Sequence, residues 1–466
     1  MNERNYLNVA KNRKINNLEN NQLNFVEVIA LSVAIIAPTF AMSMNVGLMA
    51  STVSYSVSMV FLVSTILMGS VAVSFVKFNE YFPSAGSVYT FTEKSLGENA
   101  ASISGWTLSL TYIAFSAGCS SAFGSLFASF VKDLTGLNIS WIIFALICEV
   151  LIWFISYTDI KLSTNIMLVI ESISILLVIL IAVIILIKVG STKGLSLIPF
   201  KRNGNTFSNF GTGIVYAILC FGGFEGASSL GEESKNPKKS IPLAIASTVV
   251  ITGIVFIFVS YAEVIGFGVS DSGIQALKKS PSTIVELSKN YMGSLFTILI
   301  TLAISISAFS TALGSMTAGS RLLYSMSKDG NIPKAFSNVH PEHHTPYIAL
   351  NIILAIIIIP VLALFKHDGV EVFGYIGTIG ALALLIAYFI TSLGSLIYFG
   401  KRKIWTWQLF IPIVALFVLA FTFYSNIYPI PQFPNNIFPY IVLTWIIAGC
   451  IITFIYKRAN LKTSVQ

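Results

Sequence analysis

The chain has 466 residues, of which 55% are hydrophobic and only 10% charged. So little charge cannot cover the surface of a water-soluble domain, which leaves a polytopic membrane protein as the class. The net charge of +8 does not mark a nucleic-acid binder, because the basic residues are scattered over short loops.

Residues 1–24 are polar, with no apolar stretch and no cleavage site, and read as a cytoplasmic tail rather than a signal peptide. Long apolar runs follow at Phe25–Ala50, Tyr55–Phe78, Ala101–Val131, Ile139–Tyr157, Ser163–Ile187 and Phe210–Leu230. Six more lie at Ile241–Ile265, Gly293–Ser325, Tyr347–Phe365, Val372–Phe399, Trp405–Tyr424 and Ile437–Tyr456. Each approaches or exceeds the roughly 20 residues that a spanning helix needs. The pattern predicts an all-α protein with twelve transmembrane helices and both termini on one side. Most of the 28 Lys and Arg residues fall on that side, which makes it cytoplasmic by the positive-inside rule. The outer loop Gly266–Met292 is too polar to span and is expected to carry a short surface helix acting as a lid. The last two runs, joined by a proline-rich stretch, read as an accessory hairpin over 400–456, followed by a cytoplasmic tail at 457–466.

The first run is interrupted. In "VIALSVAIIAPTFAMSMNVGLMA", Pro38 removes a helix hydrogen bond and suits the first position of a new half-helix. One half-helix should end near Ile36 and the next begin at Pro38. The N–H groups of Thr39, Phe40 and Ala41 and the Thr39 hydroxyl are then expected to be free. The sixth run breaks at Cys220, Phe221, Gly222 and Gly223. Runs one and six hold corresponding places in two five-helix blocks, which an odd number of spans inserts with opposite topology. Paired breaks in an inverted repeat point to a binding site at mid-membrane, since unpaired backbone cannot face lipid. Half-helix starts attract an anion and half-helix ends a cation, which fits a zwitterionic amino acid. Each break taken alone is also compatible with a packing kink.

Three stretches carry a resemblance. "FGGFEGASSLGEESKNPKKSIPLAI", "FPSAGSVYTFTEKSLG" and "SRLLYSMSKDGNIPKAFSNVHPEHHTP" resemble signatures of amino acid permeases in the amino acid–polyamine–organocation superfamily. The resemblance implies a five-plus-five inverted-repeat fold of the leucine-transporter type, with broken helices one and six, over a core at 25–399. It further implies amino acid uptake or exchange, with substrate held by backbone at Ile36, Ala37, Pro38, Thr39, Phe40 and Ala41. The sixth-helix contacts carried over are Leu219, Cys220, Phe221, Gly222 and Gly223. Many members have a Gly-Ser-Gly type first break where this chain has Ala37-Pro38-Thr39, which leaves an amine or another small solute as alternatives.

Carboxylates at membrane depth cost roughly 2.5–3.5 kcal/mol on insertion scales, so each calls for a reason. Glu225 falls in the first turn after the second break, where helix dipole and burial act on its charge in opposite senses. It is expected to gate or sense substrate, or else to bond the backbone of helix one. Glu171 lies in helix five, three residues from Ser174, where the family resemblance aligns a lysine. Glu171 is the candidate for proton coupling, or else a partner for a neighbouring helix. Ser310 and Thr311 form a hydroxyl pair of the type that ligates sodium in this fold, though such residues also pack helices. Glu149 and Glu263 are weaker candidates. His340, His343 and His344 have no supporting cysteine, so no metal is assigned. Cys119, Cys148, Cys220 and Cys450 all lie in apolar runs and suggest no disulfide framework. Phe61, Phe75 and Phe78 are expected to face lipid or fill the core.

The expected function is a plasma-membrane amino acid permease, coupled to protons and active as a monomer, with no cofactor and no enzymatic motif. Alternatives are an exchanger or polyamine carrier, a sodium symporter, and a transporter-like sensor or channel.

Overall fold

The computed structural model describes Leu18 and residues 20–463. The expected N-terminal tail therefore lies largely outside the described residues, as does the end of the C-terminal one. Among the described residues the fold is all-helical, and the only bridge-type pairing is a parallel one between Leu23 and Ser234.

Asn24 starts the first helix, α1 (Phe25–Ile36). Its Oδ1 accepts from the Val26 and Glu27 N–H groups at 2.9 and 3.1 Å, and Glu27 accepts from the Asn24 N–H at 2.7 Å. This reciprocal cap satisfies donors that a helix start leaves open. Ala37 then turns into the left-handed region (φ 45°), and α2 (Pro38–Val53) begins with proline at its first position. A turn at Ser54–Ser56 leads into α3 (Val57–Tyr81), and a short α4 (Val88–Leu96) precedes the long α5 (Glu98–Thr135). Next come α6 (Trp141–Thr158), α7 (Ile160–Thr192) and α8 (Phe207–Cys220). After α8 the chain turns through Phe221–Gly223 and resumes as a 3-10 helix, Phe224–Leu230.

The second half contains α9 (Pro237–Phe267), α10 (Asp271–Lys279), α11 (Thr283–Met292) and α12 (Ser294–Lys328). It closes with α13 (Tyr347–Ala363), α14 (Gly369–Lys401), α15 (Phe410–Ile427) and α16 (Phe438–Thr463). Among the described residues, ten stretches are long and apolar enough to cross a membrane. The first covers Phe25–Tyr81 as one 57-residue unit, because a 3-10 turn rather than a loop joins the first two expected runs. Tyr347–Ala363 is the shorter apolar helix left over. The multi-pass membrane character is visible in the surface, where Ile66, Leu176, Ile187, Phe417 and Phe454 stand exposed. Phe61, Phe75 and Phe78 are fully buried and belong to the core.

The long, serine- and alanine-rich α5 sits centrally, flanked by α12 and α14, and α9 pairs with α3. α1 is held by α7, α9 and α12. The loop expected to carry one surface helix forms two, α10 and α11, which pack onto α2. There the Ser43 and Ser282 hydroxyls meet at 2.6 Å and Thr283 Oγ1 donates to the Ser43 carbonyl at 3.4 Å. Of the final pair, α15 packs on α14 and α3, and α16 on α5 and α14. The Trp106 indole donates to Thr453 at 3.0 Å, and the Trp445 indole to the Trp106 carbonyl at 2.9 Å.

One buried ion pair locks the end of the bundle where α1 starts. Arg321 of α12 donates through Nε and Nη2 to both Glu233 oxygens at 2.6 and 2.8 Å, with neither side chain more than 1% exposed. The Glu233 carbonyl accepts from the Gln22 and Leu23 N–H groups, and the Lys235 N–H returns a bond to Leu23 at 2.8 Å. The entry segment, the segment after the second break and α12 thus meet at one joint. Removing one partner of such a pair costs about 3–5 kcal/mol, whereas replacing both with apolar groups is often neutral. Arg321→Met should therefore lower the thermal unfolding temperature of the detergent-solubilised protein strongly. The double variant Arg321→Met/Glu233→Leu should recover most of that loss, and a double variant no better than the single would contradict this account.

Candidate functional site

Both interruptions use one left-handed residue, Ala37 (φ 45°) in the first and Gly223 (φ 105°) in the second. They lie against each other. A Cβ on Gly223 would come within 2.2 Å of the Ile35 side chain, and one on Gly226 or Gly314 within 2.5 or 2.8 Å of it. Glycine is required at 223 both for its backbone angle and for this approach.

The first break falls at the residues expected, with α1 ending at Ile36 and α2 beginning at Pro38. One detail is corrected. The Ala41 N–H is not free but donates to the Ala37 carbonyl at 2.9 Å. Ala37 is the cap, so Ala41 is the first residue of α2 whose N–H can reach a carbonyl behind it. By the same geometry Thr39 and Phe40 precede the first intrahelical bond. The Thr39 hydroxyl is buried and has no hydrogen-bond partner.

The second break falls at Cys220–Gly223, but the helix after it is 3-10 rather than α. Ser32 of α1 stitches the two breaks: its hydroxyl donates to the Phe224 carbonyl at 2.7 Å and accepts from the Ala227 N–H at 2.8 Å. Glu225 was expected either to gate or to bond the backbone of helix one. Its side chain is held by two tyrosines from other helices, since Tyr112 of α5 donates to Oε1 at 3.1 Å and Tyr388 of α14 donates to Oε2. The Tyr388 hydroxyl also accepts from the Gly223 N–H at 3.2 Å. A carboxylate, two phenols and a freed backbone N–H thus satisfy one another inside the bundle.

A cavity of about 210 Å³ opens beside the breaks. Of the residues expected to touch substrate, Ile36, Phe40, Ala41, Leu219, Cys220 and Gly222 line it, while Ala37, Pro38, Thr39, Phe221 and Gly223 do not. The wall that sequence reasoning missed comes from Asn45 and Leu48 of α2, Phe115 and Cys119 of α5, and Tyr216 of α8. Phe373, Gly374, Gly377, Thr378 and Ala381 of α14 complete it. The available signal was the Gly374–Gly377 spacing and the amide side chain of Asn45 in an apolar run. The Phe40 and Phe373 rings meet edge to face across this space, 4.8 Å between centroids.

Glu171, Ser310 and Thr311 come together behind α1. Ser307 donates to both Glu171 oxygens at 3.1 and 3.3 Å, and Thr311 Oγ1 donates to the Ala34 carbonyl at 3.2 Å, where α1 ends. The Ser310 hydroxyl is buried beside the Glu171 carboxylate. This cluster of oxygens has the chemistry to hold a proton or a small hard cation. Thr311 also lines the cavity, while Glu171, Glu225 and Ser310 do not. Ser174 donates to the Ala303 carbonyl at 3.2 Å.

The remaining acids lie apart. Glu149 accepts from Ser120 at 3.1 Å, and Glu263 borders a small apolar cavity beside Val178 and Leu287. His340 and His343 stack at 4.6 Å, and His340 Nδ1 accepts from the Glu342 and His343 N–H groups. The four cysteines are free thiols.

Comparison with known proteins gives this geometry its setting. The family model described as "Amino acid permease" matches residues 23–455. The branched-chain amino acid permease BcaP of Bacillus subtilis is 28% identical over 324 residues, 65% of this chain and 66% of that protein. The low-affinity putrescine importer PlaP of Escherichia coli is 28% identical over 289 residues, 61% of each chain. The methylthioribose transporter of Bacillus subtilis is 30% identical over 292 residues, 59% of this chain and 60% of that protein. The chain thus spans 60 to 66% of the length of these curated relatives.

The tyrosine–carboxylate network yields an ordering. Tyr388→Phe strands the Gly223 N–H and one Glu225 oxygen, each unsatisfied buried group costing about 1–3 kcal/mol. Tyr112→Phe strands only one acceptor. Thermal unfolding should therefore show Tyr388→Phe as the more damaging change, and the reverse order would contradict the network.

Proposed function

Because the chain belongs to the amino acid permease family of the amino acid–polyamine–organocation superfamily, we propose that it carries amino acids or related small molecules across the cell membrane by alternating access. One observation supports this reading above the others: two interrupted helices face each other at their breaks and open on the same cavity. The end of α1 presents carbonyl oxygen to an ammonium group, and the start of α2 presents N–H groups to a carboxylate. The expected architecture extends the same reading. It comprises twelve spans as two inverted five-helix repeats over 25–399, an accessory pair over 400–456, and both termini in the cytoplasm. A monomer contains every element the cycle needs.

Proton coupling is proposed for Glu171. The supporting geometry is its contact with Ser307 on α12, one turn before Thr311, which holds the Ala34 carbonyl near the end of α1. Gain or loss of a proton at Glu171 changes its bonds to α12 and is thereby passed to the first break. Glu225 is proposed to report the state of the second break through Tyr388. A second reading rests on the Ser310 and Thr311 hydroxyls beside Glu171, which suit a sodium ion in the same cluster. Exchange without coupling is the remaining mode.

Purified protein in liposomes tests both levels. Accumulation and counterflow should appear for members of an amino acid and amine panel, and their absence across the panel overturns the transport reading. With an imposed pH gradient, Glu171→Gln should reduce accumulation by about tenfold or more while leaving counterflow measurable. Intact pH-driven accumulation in that variant overturns the assignment of Glu171. A requirement for sodium with indifference to pH transfers the coupling role to Ser310 and Thr311.

A further inference from the structure

We infer that the cavity selects neutral amino acids with apolar side chains and that Gly374 sets the side-chain size it accepts; this rests on the transport reading above and narrows it. The three relatives named above are described by three different cargoes, so family membership alone does not choose among them. The lining does. No Asp, Glu, Lys, Arg or His lines the cavity among the described residues. The carboxylates near its walls are engaged elsewhere: Glu225, three residues past Gly222, by Tyr112 and Tyr388, Glu371, two residues before Phe373, by Tyr375 and His367, and Glu171, behind α1, by Ser307.

A diamine brings two ammonium groups and lysine or glutamate one charge beyond the zwitterion. In this cavity the extra charge meets aromatic rings, aliphatic side chains, thiols and the neutral groups of Asn45, Thr311 and Thr378, none of opposite charge, and an unpaired charge taken from water is strongly penalised. The zwitterion is different, because two helix ends offer partial charges of opposite sign to its two groups. What remains for the side chain is the wall formed by Phe115, Leu219, Phe373 and the glycines of α14.

Among the glycines that line the cavity, Gly374 is distinct. A Cβ at Gly222 would meet Leu384 at 2.9 Å, and one at Gly377 would meet the Phe373 ring at 3.3 Å. A Cβ at Gly374 would meet nothing within 4 Å. Gly374 is itself exposed, and the space beside it is open and continuous with the cavity that it lines, so a side chain placed there narrows that space without displacing the protein.

The test is counterflow of labelled leucine into liposomes bearing wild-type protein or Gly374→Leu, with unlabelled isoleucine, alanine, lysine, glutamate and putrescine as competitors. In the wild type, isoleucine should suppress the signal and the three charged solutes should not. In Gly374→Leu the preference for alanine over leucine should rise about tenfold, the scale on which apolar pockets discriminate by size. If Gly374→Leu does not give folded protein by gel filtration and thermal unfolding, Gly374→Ala should move the ratio the same way by about threefold. Competition by lysine, glutamate or putrescine equal to that by isoleucine overturns the selectivity and leaves transport standing. An unchanged ratio in a folded variant overturns the role of Gly374. Absence of counterflow for every solute removes the transport reading itself.

Discussion

Backbone that leaves its helix inside a membrane must find hydrogen bonds within the protein, because lipid offers none. Much of this structure follows from that requirement at two places. Ser32 spends its donor and its acceptor on the segment after the second break. Tyr388 spends its hydroxyl on the Gly223 N–H and the Glu225 carboxylate. Thr311 holds the Ala34 carbonyl where the first half-helix ends. Helices from distant parts of the chain are thereby fixed around the breaks, and the cavity is the volume they leave between them.

The same requirement explains what could be read from sequence and what could not. Pro38 marks the first break to the residue, since its ring and missing N–H leave few conformations open. The pair Gly222-Gly223 marks the second for the opposite reason, its freedom. The partners of Glu225 were not legible, because Tyr112 and Tyr388 lie 113 and 163 residues away and nothing local singles them out. Ala41 was misjudged by one position, as the cap at Ala37 supplies a carbonyl that simple counting from Pro38 overlooks. The walls from α5 and α14 stayed hidden for a broader reason. A run that is apolar all round does not say which side meets lipid, which meets another helix and which meets a ligand.

The buried acids illustrate how one chemical type takes different roles. Glu233 is neutralised by a bidentate arginine and serves the joint between the entry segment and α12. Glu225 is held by phenols at the second break, and Glu171 by a serine next to the first. Sequence placed the latter two at membrane depth, but the neighbour that distinguishes them comes in each case from another helix.

The unequal chemistry of the two breaks has a mechanical consequence. Ala37 must stay in a narrow left-handed well that costs a residue with a side chain about 1–2 kcal/mol. The proline after it fixes the next angle as well. Cys220–Gly223 carries no such restriction, and its two glycines admit a wide range of angles. If the half-helices swing, the first interruption behaves as a rigid elbow and the second as the hinge. Bending would then concentrate at the second break, beside Tyr388 and Glu225.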